Sequence, residues 1–589
     1  MFKRASSVAV LMTLVATAFA FSSARAADPA GSARESGYIT LPDGVELAYS
    51  AVYPDDHQPH PTLFEYSGYN PGAVPDIPYI ARYVPKGYAF IGVNIRGTGC
   101  SSGTFDFFEP QQGKDGGYVI DHFIPTRPWS NGDVAMIGKS FPGITQLFVA
   151  EQKPAHLKAI APGHFYADAY RDVAYPGGIL NYAFATLWSF ISQPEPGYAS
   201  AIEQIAGGDQ KCAANVASHT VTNAPKNPFV QAPQHPFDDA LTQERSPGPH
   251  IKDIDVPVFT ALAWQDEQLA SRQSHILSEL DVPYWVILSN GDHGMYRTPQ
   301  ALLKLDAFID HFLKGLNNGF EANPHVMIWW EAKNSTRGPT WVTGHPSWPV
   351  PATPQRFYLG KGGTLSATAP GIAPATQVPD SYLYPAGSQG IGNPRYGLSQ
   401  LPDVYLWGLK PPPGTAQSYT SEPLAADTVA LGSASLDLWI ASTAPDTDFQ
   451  ATLTEVRADG QEMYVEKGWL RASHRKLDET KSTALRPYQT HAQADFAPLV
   501  PGQVTPVRIE IFPFGHVFRK GSRIRVWVEA PNVLPELWGF AITPVPAVNL
   551  IYHDAAHPSA LVLPIASVPI ESPLPPECGS LIRQPCRPA

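Results

Sequence analysis

Apolar and polar positions alternate along YITLPDGVELAYSAVY, residues 38–53, on both sides of a Pro-Asp-Gly turn. Successive side chains of a strand point to opposite faces, so this spacing predicts a β-hairpin. PTLFEYSGY, GYAFIGVNIRGTGCSSG and DVAMIGKS follow as short apolar runs closed by glycine or serine, with a helical stretch predicted over 117–124. Strands separated by helical spacers predict a mostly parallel sheet. The rhythm stops after Ala161. Residues 166–245 carry aromatic-rich helical pieces, GGILNYAFATLWSFI and YASAIEQIAGG, without strand alternation, and read as an inserted helical cap. Strands resume at DVPVFTALAW and DVPYWVILS, with the helical segment EQLASRQSHILSEL between them, the length of one βαβ unit. Beyond residue 340, ASLDLWIAST, DFQATLTEVRADGQEMYVEKG, TPVRIEIFPFG and SRIRVWVEA alternate with period two and predict an all-β sandwich or jelly roll.

Composition changes this picture only at its edges. A chain of 589 residues exceeds what one core holds, about 250–300 residues, which fits several domains. Its net charge of −12 argues against nucleic acid or an anionic membrane as partner. Lys3 and Arg4, an apolar stretch over 8–21 and then Ser23-Ala24-Arg25-Ala26 predict a secretory signal peptide cleaved after Ala26. That stretch is short of the ~20 residues of a spanning helix, so a secreted or periplasmic protein with no membrane partner after cleavage is expected. Export permits disulfides. Cys578 and Cys586 bracket a short tail and are expected to form a local bridge, with Cys100 and Cys212 as the remaining pair. No CxxC spacing occurs, and no metal or cofactor is expected.

The chemistry concentrates in GDVAMIGKSFPG, residues 132–143. A strand over 133–137, a turn at Gly138 and helical spacing after Gly143 place Ser140 at the apex of a strand–turn–helix, the geometry of a nucleophile elbow. The first helical amides then face the hydroxyl and suit a developing oxyanion. The second glycine falls at 143, giving G-x-S-x-x-G where the strict pattern requires glycine at 142. A nucleophilic serine needs a base and the base an orienting carboxylate, in the order Ser, acid, His, on loops after late parallel strands. Asp266 and His293 occupy those loops. Asp266 also suits a helix N-cap. The rivals are His275 and His311, both in helical segments, and Asp292 as an alternative acid.

The stretches RGTGCSSG (96–103), PWSNGDVAMIGKSFPG (128–143), the Asp266 and His293 loops and STAPDTDFQATLTEVRADG (442–460) together resemble the cocaine esterase and X-prolyl dipeptidyl aminopeptidase-like serine hydrolases. The resemblance implies an α/β-hydrolase sheet with an inserted helical cap, followed by an all-β jelly-roll domain. Residues 1–26 are then the signal peptide, 27–165 and 246–340 the two parts of the α/β-hydrolase domain, 166–245 the cap and 341–589 the jelly roll. It implies Ser140 as nucleophile, His293 as general base and Asp266 as its partner. It also implies Tyr69, in FEYSGYNPG, as an oxyanion donor beside the Phe141 amide, with Tyr66 as the nearby rival. Departures are Phe141 where relatives carry Tyr, and Gly68 where they often carry Pro. Relatives acting on α-amino-acid esters hold the ammonium with carboxylates two and three residues after the acid; here those positions are Gln268 and Leu269, with Glu267 one residue early.

The expected activity is hydrolysis of carboxylic esters, with amides as a further substrate class, through an acyl-enzyme. The substrate partner is a small ester, amide or short peptide, and oligomeric state is left open. Cleavage of X-Pro peptides or of α-amino-acid esters is the alternative, with Asp168 and Asp172 of the cap as candidate holders of a free amino group. A non-catalytic binding protein is the third reading, although Trp439 and Trp527 of the β region are expected in its core.

Overall fold

The computed structural model describes residues 28–69, 77–183, 198–371, 378–384, 410–532 and 538–589; the expected signal peptide and cap residues 184–197 lie outside them. Ten strands form the first sheet: β1 Ser32–Thr40, β2 Glu46–Pro54, β3 His60–Ser67, β4 Ala89–Asn94, β5 Ser130–Lys139, β6 Leu157–Gly163, β7 Val258–Ala263, β8 Tyr284–Ser289, β9 Val326–Trp330 and β10 Trp341–His345. Their order is β1-β2-β4-β3-β5-β6-β7-β8-β9-β10. Every neighbouring pair from β4 to β9 is parallel, and antiparallel pairs close both edges. β4, β7 and β9 bury every residue, as expected of parallel strands covered on both faces, whereas the outermost β1 is only partly buried.

Two helices differ from their sequence reading. The stretch expected over 117–124 begins as a helix at Pro110–Tyr118 and continues as a π turn over Val119–Phe123. Its glycines disguise it, yet close packing requires two of them. A Cβ at Gly113 would sit 2.1 Å from the Phe148 carbonyl oxygen, and one at Gly116 2.4 Å from Val149 Cγ2, both on the neighbouring helix Phe141–Ala150. The segment after Asp266 is helical only over Arg272–Glu279, as a 3-10 helix, because the chain turns through a positive φ of 54° at Ala270.

Between β6 and β7 the described residues form only short helices, the longest being Gln210–Thr222, so this inserted region is helical as expected. The Cys100–Cys212 disulfide ties that helix to the loop after β4, and Cys578–Cys586 closes a loop near the C-terminus. Beyond β10 a second sheet of 12 strands is almost wholly antiparallel; its longest pair joins Thr428–Ser442 to Thr505–Phe518. Trp439 and Trp527 are half-buried instead of lying in its core; the Trp527 indole N–H donates to Glu462. A continuous hydrophobic core includes residues of both sheets. No helix among the described residues is long and apolar enough to cross a membrane.

Candidate active site

The carboxyl ends of β5, β6, β7 and β8 lie side by side, where open α/β sheets gather their functional loops. Ser140 follows β5 directly, with φ 64° and ψ −127°. A non-glycine residue rarely adopts this conformation, and the surrounding bonds hold it there. The Ser140 amide donates to the Gly163 carbonyl at 2.8 Å, and the Gly143 and Ile144 amides both return to the Ser140 carbonyl at 2.8 Å. A Cβ at Gly143 would lie 2.2 Å from that same Gly163 oxygen, so the displaced glycine is what lets the helix pack against β6. Pro142 has no N–H, so Phe141 carries the first amide of this helix.

Asp266 and His293 come together in the loops after β7 and β8. His293 Nδ1 lies 3.0 and 2.9 Å from the two Asp266 carboxylate oxygens, and both side chains are buried. Asp266 Oδ1 also accepts the Gln268 and Leu269 amides, closing a turn where a helix start was expected; the helix begins only at Arg272, and Ser271 stands at its N-cap. His293 Nε2 is buried and has no hydrogen-bond partner among the described residues; it is not bonded to Ser140. Such contacts are often loose before substrate binds. The rivals are engaged elsewhere: His275 with Glu510 at 2.8 Å, His311 with the Leu316 carbonyl at 2.9 Å, and Asp292 with Arg337 at 2.6 Å.

Sequence reasoning missed His164. It follows β6 immediately, at φ 47°, and its Nδ1 lies 2.7 Å from Asp266 Oδ2. The Tyr296 amide donates to His164 Nε2 at 3.2 Å, which leaves the Nδ1 proton for Asp266. The signal was available: a histidine one residue beyond a central strand, at the edge where the other loops carry chemistry. Ligand atoms of His164, Asp266 and His293 lie within 4.8 Å of one another, but these hydrogen bonds already knit them into a network.

Electrostatics follow from this packing. Burial alone would push the Asp266 carboxyl up, but the two histidines and their hydrogen bonds hold it well below the usual carboxylate range. Burial pushes the His293 imidazole down, with smaller contributions from His164 and Lys139, against the opposing pull of Asp266. Lys139, otherwise puzzling beside Ser140, donates from Nζ to the His293 carbonyl at 3.0 Å and so ties the turn at Ser140 to the histidine loop. Burial, with Arg297, holds that amine below its ordinary value.

Tyr69 sits edge-on to the Phe141 ring, centroids 5.6 Å apart, and its carbonyl accepts from Asn94 Nδ2. Tyr66 points into the core, its buried hydroxyl without a hydrogen-bond partner among the described residues. Beside Ser140 opens a cavity of about 140 Å³ walled by Phe107, Phe108, Phe141, Ile144, Tyr166 and Leu269. No carboxylate lines it among the described residues. Asp168 and Asp172, the candidates for an amino group, are instead paired with Arg171 and Arg272, each at 2.9 Å.

The family model described as X-Pro dipeptidyl-peptidase (S15 family) matches residues 43–295, and that of the X-Pro dipeptidyl-peptidase C-terminal non-catalytic domain matches 318–562. Cocaine esterase of Rhodococcus sp. is 26% identical over 604 residues, covering 90% of this chain and 97% of that protein. A Mycobacterium bovis protein bearing a serine esterase name is 26% identical over 547 residues, 82% of this chain and 84% of its own. The crystal structure of a CocE/NonD family hydrolase from Staphylococcus aureus shares the fold, with TM-score 0.73 at 21% identity, covering 90% of this chain and 94% of that one.

Proposed function

We propose, for a chain that belongs to the cocaine esterase and X-Pro dipeptidyl-peptidase-like serine hydrolases, that it is an exported esterase acting on carboxylic esters with an apolar acyl group. Ser140 Oγ attacks the ester carbonyl while His293 Nε2 takes its proton, and Asp266 holds the resulting imidazolium. The Phe141 amide and the Tyr69 hydroxyl bind the tetrahedral oxyanion. Collapse expels the alcohol, which leaves with the proton from His293. Water, activated by the same histidine, then releases the acid and restores Ser140. Export by the segment 1–26 into an oxidising compartment accords with two disulfides.

One observation carries the choice of substrate: the described wall of the Ser140 cavity is largely aromatic and aliphatic, its polar members include Arg245, His235 and Asn181, and it offers no carboxylate to a free ammonium. An X-Pro dipeptide or α-amino-acid ester would have to bury its charge there unpaired, at a cost of several kcal/mol. The test is a panel on the mature protein: an aryl ester with an apolar acyl group, an α-amino-acid ester and an X-Pro anilide, each beside Ser140→Ala. Wild type is expected to turn over the first far faster than the other two, and Ser140→Ala none. Equal or better cleavage of the anilide would overturn the substrate reading, and residual ester hydrolysis by Ser140→Ala the nucleophile.

A further inference from the structure

The C-terminal family match ends at residue 562, and the chain continues to Ala589. This tail is fastened down. Leu581, Ile582, Gln584 and Arg587 are buried, and the Cys578–Cys586 bridge closes the loop that carries them to the second sheet. The Ile582 amide donates to the Ala332 carbonyl at 3.0 Å, and the Asn334 amide to the Ser580 carbonyl at 2.9 Å, seating the loop along the segment after β9.

From that seat the tail reaches the base. Asn290, which follows β8 and opens the histidine loop, donates from Nδ2 to the Ile582 carbonyl at 3.1 Å. Arg583 Nη2 lies 3.1 Å from Glu267 Oε1, and Glu267 Oε2 accepts the His293 backbone amide at 3.0 Å. Arg583 has φ 61°, an uncommon conformation for a non-glycine residue that the surrounding loop holds in place. A guanidinium, a carboxylate and an amide therefore run in series from the tail to the residue that must present Nε2 to Ser140.

We propose that the C-terminal disulfide loop is a working part of the active site, with Arg583 acting as a positioning residue that holds His293 through Glu267. The proposal rests on the reading of His293 as the base. Arg583 touches no reacting atom; its effect passes through the carboxylate. Glu267 stands beside Asp266 on its own loop and interacts with Lys139 from β5, His293 on the histidine loop and Arg583 from the tail. Burial and the Asp266 charge push its carboxyl up, and Arg583 opposes them. Without the guanidinium, Glu267 takes up a proton more readily and becomes a weaker acceptor for the His293 amide.

The experiment compares Arg583→Gln, Arg583→Lys and a Cys578→Ser/Cys586→Ser double variant in the full mature chain, reading kcat, KM, pH dependence and melting temperature with an aryl ester. Arg583→Gln is expected to lose ~10- to 100-fold in kcat, the scale of a misplaced catalytic group, with KM unchanged and any fall in melting temperature reversed by Arg583→Lys. Its acid limb should move to higher pH, and Arg583→Lys should restore most of kcat. The double serine variant should lose kcat in the same sense. Wild-type kcat and an unmoved pH profile in Arg583→Gln would overturn the proposal. So would a loss that follows a lowered melting temperature and that lysine does not restore. Failure of the underlying reading is separate and visible first: a fluorophosphonate would not label Ser140 in the wild type.

Discussion

At the scale of single residues, Asp266 is shared. It accepts from His293, from His164 and from two backbone amides, and this crowd of donors keeps it ionised despite full burial. Burial tunes the His293 imidazole downward against the pull of this carboxylate. On the proposed mechanism activity requires neutral His293, so kcat/KM should rise with pH through a value below the ordinary 6.5 and remain substantial under mildly acidic conditions. Replacing His164 by Phe removes one donor from Asp266, leaving more of its charge to stabilise the imidazolium. The acid limb should then move to higher pH, and a kcat/KM profile from pH 5 to 9 measures it; an unmoved limb would make His164 mere packing. The placement of Ser140, Asp266 and His293 after neighbouring parallel strands was legible in the sequence because strand ends announce where loops converge. His164 was not, because its partner is 102 positions away and only the adjacency of β6 and β7 joins them. Lys139 was equally opaque: its amine answers a carbonyl 154 positions distant.

At the scale of elements, the cap helix Gln210–Thr222 is riveted rather than hinged. Cys212 bridges to Cys100, Asn215 donates to the Cys100 carbonyl at 2.8 Å, and Asn223 bonds both the Phe105 amide and the Gly97 carbonyl at 2.9 Å. These contacts hold the loop after β4, which leads to Phe107 and Phe108 in the cavity wall. A bridge that closes so long a loop contributes roughly 4–5 kcal/mol in the chain-entropy model. The Cys100→Ser/Cys212→Ser double variant is expected to lower the melting temperature and to raise KM for a bulky acyl ester, while a small fluorophosphonate still labels Ser140 at the wild-type rate. Equal loss of labelling would place the bridge's effect in the elbow itself. Strands were readable from alternation and apolar runs, because β-structure writes its burial at short range. The helix Pro110–Tyr118 was not, since Gly113 and Gly116 weaken its helical signature for the sake of contact with Phe148 and Val149.

At the scale of the whole molecule, the β sheet beyond residue 345 supplies part of the ground on which the Asp266 loop stands. Gln265 Nε2 donates to the Val465 carbonyl at 2.9 Å, and Ser271 Oγ to the Pro513 carbonyl at 2.6 Å. Next along the chain, Arg272 is buried with Asp172 at 2.9 Å on the cap side and Glu510 at 3.0 Å on the β side. Glu510 also bonds His275 at 2.8 Å, and its carboxyl is held far below the usual range, with Arg272 the foremost attraction against the cost of burial. The three segments are thus locked through one guanidinium. Removing a single partner from a buried ion pair leaves the other charge uncompensated, a cost of about 3–5 kcal/mol. Glu510→Ala should therefore unfold at a markedly lower temperature in a single transition of the whole chain, with activity per folded molecule nearly intact at 25 °C, because no reacting group is touched. Calorimetry decides it: two separated transitions would mean that the sheets unfold independently, and that the Arg272 junction is only a contact between neighbours.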